Sequence, residues 1–251
     1  MSNETFPWAE VLGVTGTAAP PRSKGEAVYH ALRRVILLNT VAAGAALLET
    51  GIAGAMNCSQ GTVREALLRL EQEGLVSRRG YQGTFVSDTT PDEAAQMVRI
   101  RLALEVDGAR RAAPRLGPAE TTALEELVER MAEAEREGDA YALAELDRAF
   151  HLTIFRAAGL RALEPILLRC MLHIHRHTFG LDKEPLQVDE PGFARGSVQH
   201  AKLLSAVTSG APETAAAAME AHIRAVVERW SPEVDRQVRQ FGSELPTPAP
   251  S

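Results

Sequence analysis

Between residues 91 and 230, prolines and glycines cut the chain into six amphipathic segments with short connections, and this punctuation constrains the fold more than any other feature. The first segment runs from Pro91 to about Ala113 and stops before Pro114. The second opens at Pro118, after Gly117, and ends near Gly138. A third ends near Gly159, and a fourth spans roughly 160–178, with a bend expected at Pro165 and a close at Gly180. After a loop rich in Pro and Gly, a fifth covers about 196–209, and the sixth runs from Pro212 to about Trp230. Proline suits the first helical position, and glycine suits the position just past the end. Apolar residues at helical spacing give each segment one face to bury, which implies an antiparallel all-α bundle.

The part before it reads differently. Residues 24–38 form an amphipathic helix, a short helix follows at about 49–55, and MNC makes a turn. In SQGTVREALLRLEQEG, Ser59 is a good N-cap and Gly74 a good stop. LVSRR and TFVSD, either side of a turn at GYQG, suit a small hairpin. Three helices and a hairpin make a winged helix-turn-helix, so the expected fold class is mainly α. The boundary falls in SDTTPDEAA, residues 87–95. There Thr90 is biased away from helix by the following proline, while Pro91, Asp92 and Glu93 favour a helix start. The expected organisation is a flexible tail at 1–22, a DNA-binding domain at 23–88, a helical domain at 89–231 and a C-terminal tail at 232–251.

Composition narrows the class. A chain of 251 residues is long enough for two ordinary domains, and no apolar run is long enough to span a membrane. No signal peptide is expected, and two cysteines without metal-type spacing, Cys58 and Cys170, suit a reducing cytoplasm. The net charge of −6 discourages a nucleic-acid reading, but its distribution does not. Residues 22–88 carry eight basic and six acidic side chains, so the acidic excess lies elsewhere.

In the third helix Val63, Ala66, Leu67 and Leu70 share a face to bury, which leaves Gln60 and Arg64 on an outward face. The first turns of a recognition helix meet base edges in the major groove, where Arg reads guanine and Gln reads adenine. Arg69, Arg78 and Arg79 are candidates for phosphate contacts. The run TVREALLRLEQEGLV followed by GTFVS resembles the DNA-binding domain of the GntR family of bacterial transcription regulators, over about residues 24–87. The resemblance implies DNA contacts at Ser59, Arg64 and Gly83, and the full expected set is Ser59, Gln60, Thr62, Arg64, Arg69, Arg79 and Gly83. Gln60 and Thr50 depart from positions that are often basic in the family, so no operator sequence carries over. Asn57 stands at the usual turn glycine, a swap that left-handed geometry tolerates.

Residues 147–155, DRAFHLTIF, pose a different problem. Phe150 and Ile154 have core spacing, yet Asp147 and His151 sit four apart beside that stripe. Burying both costs several kcal/mol unless something satisfies them. His200 opens a stripe continued by Leu203, Leu204 and Val207, and His222 lies between Met219 and Val226. One carboxylate and three imidazoles on three inward faces can chelate a divalent cation. Their order resembles the FCD effector domain of the FadR subfamily, over about residues 91–229. In metal-containing members, positions matching Asp147, His151, His200 and His222 hold an ion. Zinc is the first expectation here, with nickel, manganese and iron as alternatives. Gln199 stands where the family often has Glu before the histidine.

The resemblance also makes Arg101, in RIRLALE, a candidate for an effector carboxylate, with an ion pair as its alternative role. Arg176, in HIHRHTF, is a second candidate; His173 and His177 there are a rival metal pair. The combined expectation is a non-enzymatic, cytoplasmic, homodimeric regulator, a repressor rather than an activator. It would bind a near-palindromic double-stranded operator and respond to a small carboxylate metabolite at a metal centre, with no membrane involvement. A metal sensor without an organic effector and a metal-dependent hydrolase are the alternatives.

Overall fold

A computed structural model describes residues 7–12, 23–179 and 196–242. It divides between Thr89 and Thr90 into two compact units.

The first unit contains α1 (Trp8–Leu12), α2 (Lys24–Leu37), α3 (Glu49–Ala55), α4 (Gln60–Glu73), β1 (Val76–Arg78) and β2 (Thr84–Val86). The strands pair antiparallel with Val76 opposite Val86, and Ala46 bridges to Phe85. Leu32, Ile36, Ile52, Leu67, Leu70 and Leu75 are fully buried and join the helices to the hairpin. Asn57 takes a φ of 47° in the turn between α3 and α4. The Ser59 hydroxyl accepts the Thr62 N–H at 3.1 Å, and Gly74 ends α4 at a φ of 82°. This is a winged helix-turn-helix.

The expectation of a flexible tail over 1–22 fails at α1. Trp8 and Leu12 lie four apart, and both are buried against α2 and α3. Gly51 leaves room for the indole; a Cβ there would stand 2.9 Å from Trp8 Cδ1. The rest of the expected tail lies outside the described residues.

The second unit is helical: α5 (Pro91–Ala112), α6 (Pro118–Glu137), α7 (Ala140–Ala157), α8 (Glu164–Phe179), α9 (Gly196–Thr208), α10 (Pro212–Trp230) and α11 (Pro232–Gly242). Thr90 and Glu93 cap α5 reciprocally, each side chain accepting the other's backbone N–H at 3.2 and 2.8 Å. α5 packs on α7, α8, α10 and α11, while α6 packs on α7 and α9, and α9 on α10. Val98, Leu124, Met131, Phe150, Ile154, Val207 and Ile223 form the shared core.

Two sequence expectations are corrected here. Pro165 sits in the first turn of α8 rather than at a bend, because the expected segment is divided into a 3-10 turn at Arg161–Leu163 and an α-helix that begins only at Glu164. The C-terminal tail expected at 232–251 begins instead as helix α11. Val234 and Val238 share one helical face and are buried, and Asp235 accepts a 2.7 Å hydrogen bond from Arg239 Nε. Gly180, the loop after it and residues 243–251 lie outside the described residues. Among the described residues no helix is long and apolar enough to cross a membrane.

Candidate metal centre and nucleic-acid interface

α7 carries Asp147 and His151 on one face, one turn apart, as a four-residue spacing requires. Packing in the bundle brings His200 from α9 and His222 from α10 to the same place. One donor atom from each of the four residues lies within 4.8 Å of every other. Ring centroids are 4.6 Å apart for His200 and His222, 5.2 Å for His151 and His222, and 5.5 Å for His151 and His200. Phe150 supports the group edge-on, 5.0 Å from the His200 ring.

Two of the imidazoles are held in defined orientations. Glu105 on α5 accepts the Nδ1 proton of His151, and the Gly196 carbonyl accepts that of His200 at 2.7 Å. In each ring this leaves Nε2 as the inward-facing nitrogen, the arrangement found where a histidine binds metal. His200 Nε2 lies 3.0 Å and His151 Nε2 3.8 Å from Asp147 Oδ1. Neither Nε2 has a hydrogen bond of acceptable geometry, and neither nitrogen of the buried His222 ring has a partner. Several buried, unsatisfied donors facing one point are costly alone and satisfied together by a cation. These residues therefore fit a divalent ion.

The charges agree. Burial and the neighbouring His200 and His151 rings push His222 well below the ordinary imidazole value, so it is neutral. Burial opposes ionisation of Asp147, but the hydrogen bond with His175 and the close His200 and His151 rings hold its carboxyl well below the usual range. Glu105 is likewise opposed by burial and lowered by Arg101 and His151. The site thus offers a neutral His222 ring and an ionised Asp147 oxygen, the forms that bind metal.

Of the expected effector residues, Arg101 is buried on α5 and its Nε donates to Glu105. The alternative role expected for it is a surface or interhelical ion pair; the pair found is buried and within α5, and it links Arg101 through Glu105 to His151. Arg176 is buried on α8. Two further residues join the site that periodicity alone did not single out. Glu105 reads in sequence as an ordinary i,i+4 partner of Arg101. His175, from HIHRHTF, reaches Asp147 Oδ2 at 2.9 Å. The His177 side chain lies outside the described residues, while His173 is buried on α8.

In the first unit, Ser59, Gln60 and Arg64 are exposed at the start of α4, with Thr62 half-buried and bonded to Ser59. Arg64 makes a two-pronged ion pair with Glu49 at the start of α3, at 2.6 and 3.2 Å. Arg69 lies over the Tyr29 ring at 3.8 Å and Arg79 over the Phe85 ring at 4.6 Å, so both guanidinium groups are supported by aromatic faces. Gly83 is exposed in the wing with a φ of 104°. Tyr81, fully exposed in the same turn, was not picked out by sequence reasoning.

Comparison with known proteins matches both units. The model for bacterial regulatory proteins of the gntR family matches residues 24–86, and the FCD domain model matches residues 96–225. An uncharacterized HTH-type transcriptional regulator in an unstable DNA locus of Streptomyces ambofaciens is 31% identical over 208 residues, covering 82% of this chain and 85% of that protein. The HTH-type transcriptional repressor RspR of Escherichia coli is 30% identical over 141 residues, 55% of this chain and 61% of that protein. Among solved structures, E. coli McbR/YncC superposes with a TM-score of 0.67 at 21% identity, covering 87% of this chain and 99% of that one.

Proposed function

Given that the chain belongs to the gntR family of bacterial regulatory proteins, carries an FCD domain and is therefore a DNA-binding transcription regulator, we propose that it is a metal-dependent, acid-responsive repressor. In this reading Asp147, His151, His200 and His222 hold a divalent ion, zinc first among the alternatives. The observation that carries it is the convergence of three buried imidazoles, whose inward nitrogens lack hydrogen bonds, on the half-buried Asp147. Once bound, the ion supplies charge that neutralises Asp147 and open positions suited to a carboxylate. Arg101 and Arg176 are the cationic side chains assigned to orient that carboxylate, Arg101 being kept in place by Glu105.

DNA reading falls to Ser59, Gln60, Thr62 and Arg64 at the start of α4. Arg69, Arg79 and Gly83 approach the phosphates. A cytoplasmic homodimer would present two such helices to a near-palindromic operator. The repressor role draws support from the E. coli relative so named. An effector changes operator occupancy only by the difference in its affinity for the DNA-competent and DNA-incompetent states.

The test has two parts. Elemental analysis of tag-free protein beside a His200→Ala variant should find about one ion per chain, lost in the variant. Operator binding by the loaded protein should then change across a panel of small organic acids. A metal-free wild type that also refuses added zinc, nickel and manganese would remove the metal. Operator affinity unmoved by every acid but altered by chelation would favour a metal sensor instead.

A further inference from the structure

The α9 helix supplies His200, yet it starts weakly. Its first residues are Gly196 and Ser197, and glycine costs a helix about 1 kcal/mol relative to alanine. The first N–H groups of any helix lack acceptors within it. Here a carboxylate from another helix provides one. Glu135, in the last turn of α6, accepts the Ser197 N–H at 3.0 Å through Oε1 and the Ser197 hydroxyl through Oε2. Negative charge also suits the positive end of the helix. The fit is close: a Cβ on Gly196 would lie 3.0 Å from Glu135 Oε1.

This contact matters for the site because Gly196 has a second task. Its carbonyl accepts the Nδ1 proton of His200 and so determines that Nε2 faces Asp147. If the first turn of α9 frays, that acceptor moves and His200 loses the bond that fixes its ring. The neighbouring His222, buried with neither ring nitrogen partnered, marks the point that His200 must face.

We propose that Glu135 is a positioning residue for the metal centre. By clamping the start of α9 it fixes which nitrogen of His200 is offered, without touching the ion. The proposal rests on the metal reading above. Loss of a partner that orients a ligating histidine lowers metal affinity by about 10–100-fold, and a residue one step further out should reach the lower end, about tenfold.

The experiment uses the full chain and zinc. Zinc affinity is measured by chelator competition for wild type, Glu135→Ala, Glu135→Gln and His200→Ala. The His200 Nδ1 proton is followed by NMR in the zinc-loaded proteins. Glu135→Ala should bind zinc about tenfold more weakly, with unchanged helical content and a His200 Nδ1 proton that exchanges rapidly with solvent. Glu135→Gln keeps an acceptor for the Ser197 N–H and should recover most of both properties. Wild-type affinity and a protected proton in Glu135→Ala, with zinc lost in His200→Ala, would overturn this proposal and leave the metal reading standing. A wild type that binds no zinc would overturn both. Should Glu135→Ala not fold, Ser197→Pro, which removes both the N–H and the hydroxyl in the first helical turn where proline is tolerated, carries the test through the same proton, whose unchanged protection would count against the clamp.

Discussion

Glu105 accepts the Nδ1 proton of His151 while also receiving the guanidinium of Arg101, so one buried carboxylate on α5 serves both a candidate metal ligand and a candidate effector residue. Removing it should have two separable effects. Glu105→Ala leaves Arg101 buried without its counter-charge and should cost about 3–5 kcal/mol of stability. It also frees the His151 ring and should weaken zinc binding by about 10–100-fold. Glu105→Gln should retain more stability than Glu105→Ala but still lose affinity. Thermal melts and chelator competition on both variants check this; full zinc affinity in Glu105→Ala would rule out the orienting role.

Acidification should destabilise the metal-free protein through His222. Its folded value is depressed by burial, whereas in the unfolded chain it titrates near 6.5. Above that value both states are neutral and nothing is lost. As pH falls below it, the unfolded state takes up a proton that the folded state refuses, so stability declines until the folded value is reached. One such group contributes a slope of up to about 1.4 kcal/mol per pH unit. Denaturant titrations of metal-free wild type and His222→Leu between pH 7.5 and 5.5 should show a shallower dependence in the variant. Parallel curves would mean that His222 is not the group responsible.

Arg64 and Glu49 make a prediction for DNA. A guanidinium gripped at Nε and Nη2 by a carboxylate keeps its other N–H groups for a base edge and loses little freedom on binding. Arg64→Ala should cost about 1–3 kcal/mol of discrimination at one base pair. Glu49→Gln should relax specificity at that same base pair while leaving the salt dependence nearly unchanged. Binding measured across single-base operator variants separates this from a general loss of affinity, which would point to a phosphate contact.

The α1 segment should stabilise the first unit. Trp8→Ala removes a large buried side chain and is expected to cost about 3 kcal/mol. Gly51→Ala pushes a methyl group into the same indole and should cost about 1–3 kcal/mol by overpacking. Combining the two should cost less than the sum, because the methyl group then meets a vacated space. Strict additivity in unfolding experiments would mean that the two positions are not in contact.

Much of this was legible in the sequence because helices announce themselves locally. Proline, glycine and apolar spacing gave the boundaries of α5, α6, α9 and α10 and the end of α7 to within a few residues, and inward-facing Asp147, His151, His200 and His222 stood out as polar groups on apolar stripes. Glu105, His175 and Glu135 did not stand out, since the contacts that tie them to the site, with His151, Asp147 and Ser197, come from other helices and spacing along one helix says nothing about what faces it. The short α1 and α11 were hidden for another reason. Among the described side chains each buries two apolar residues, and composition averaged over a terminal stretch conceals so small a stripe.

The candidate ligands come from three helices, α7, α9 and α10. An ion held by all three would act as a removable crosslink. It would close two chain loops at once and lower the entropy of the unfolded ensemble as a pair of staples would. Because such a staple is held by equilibrium rather than by a covalent bond, the fold would grow more persistent as free metal rises and slacken as it is withdrawn. The cell's metal supply would then set the lifetime of the regulator as well as its response.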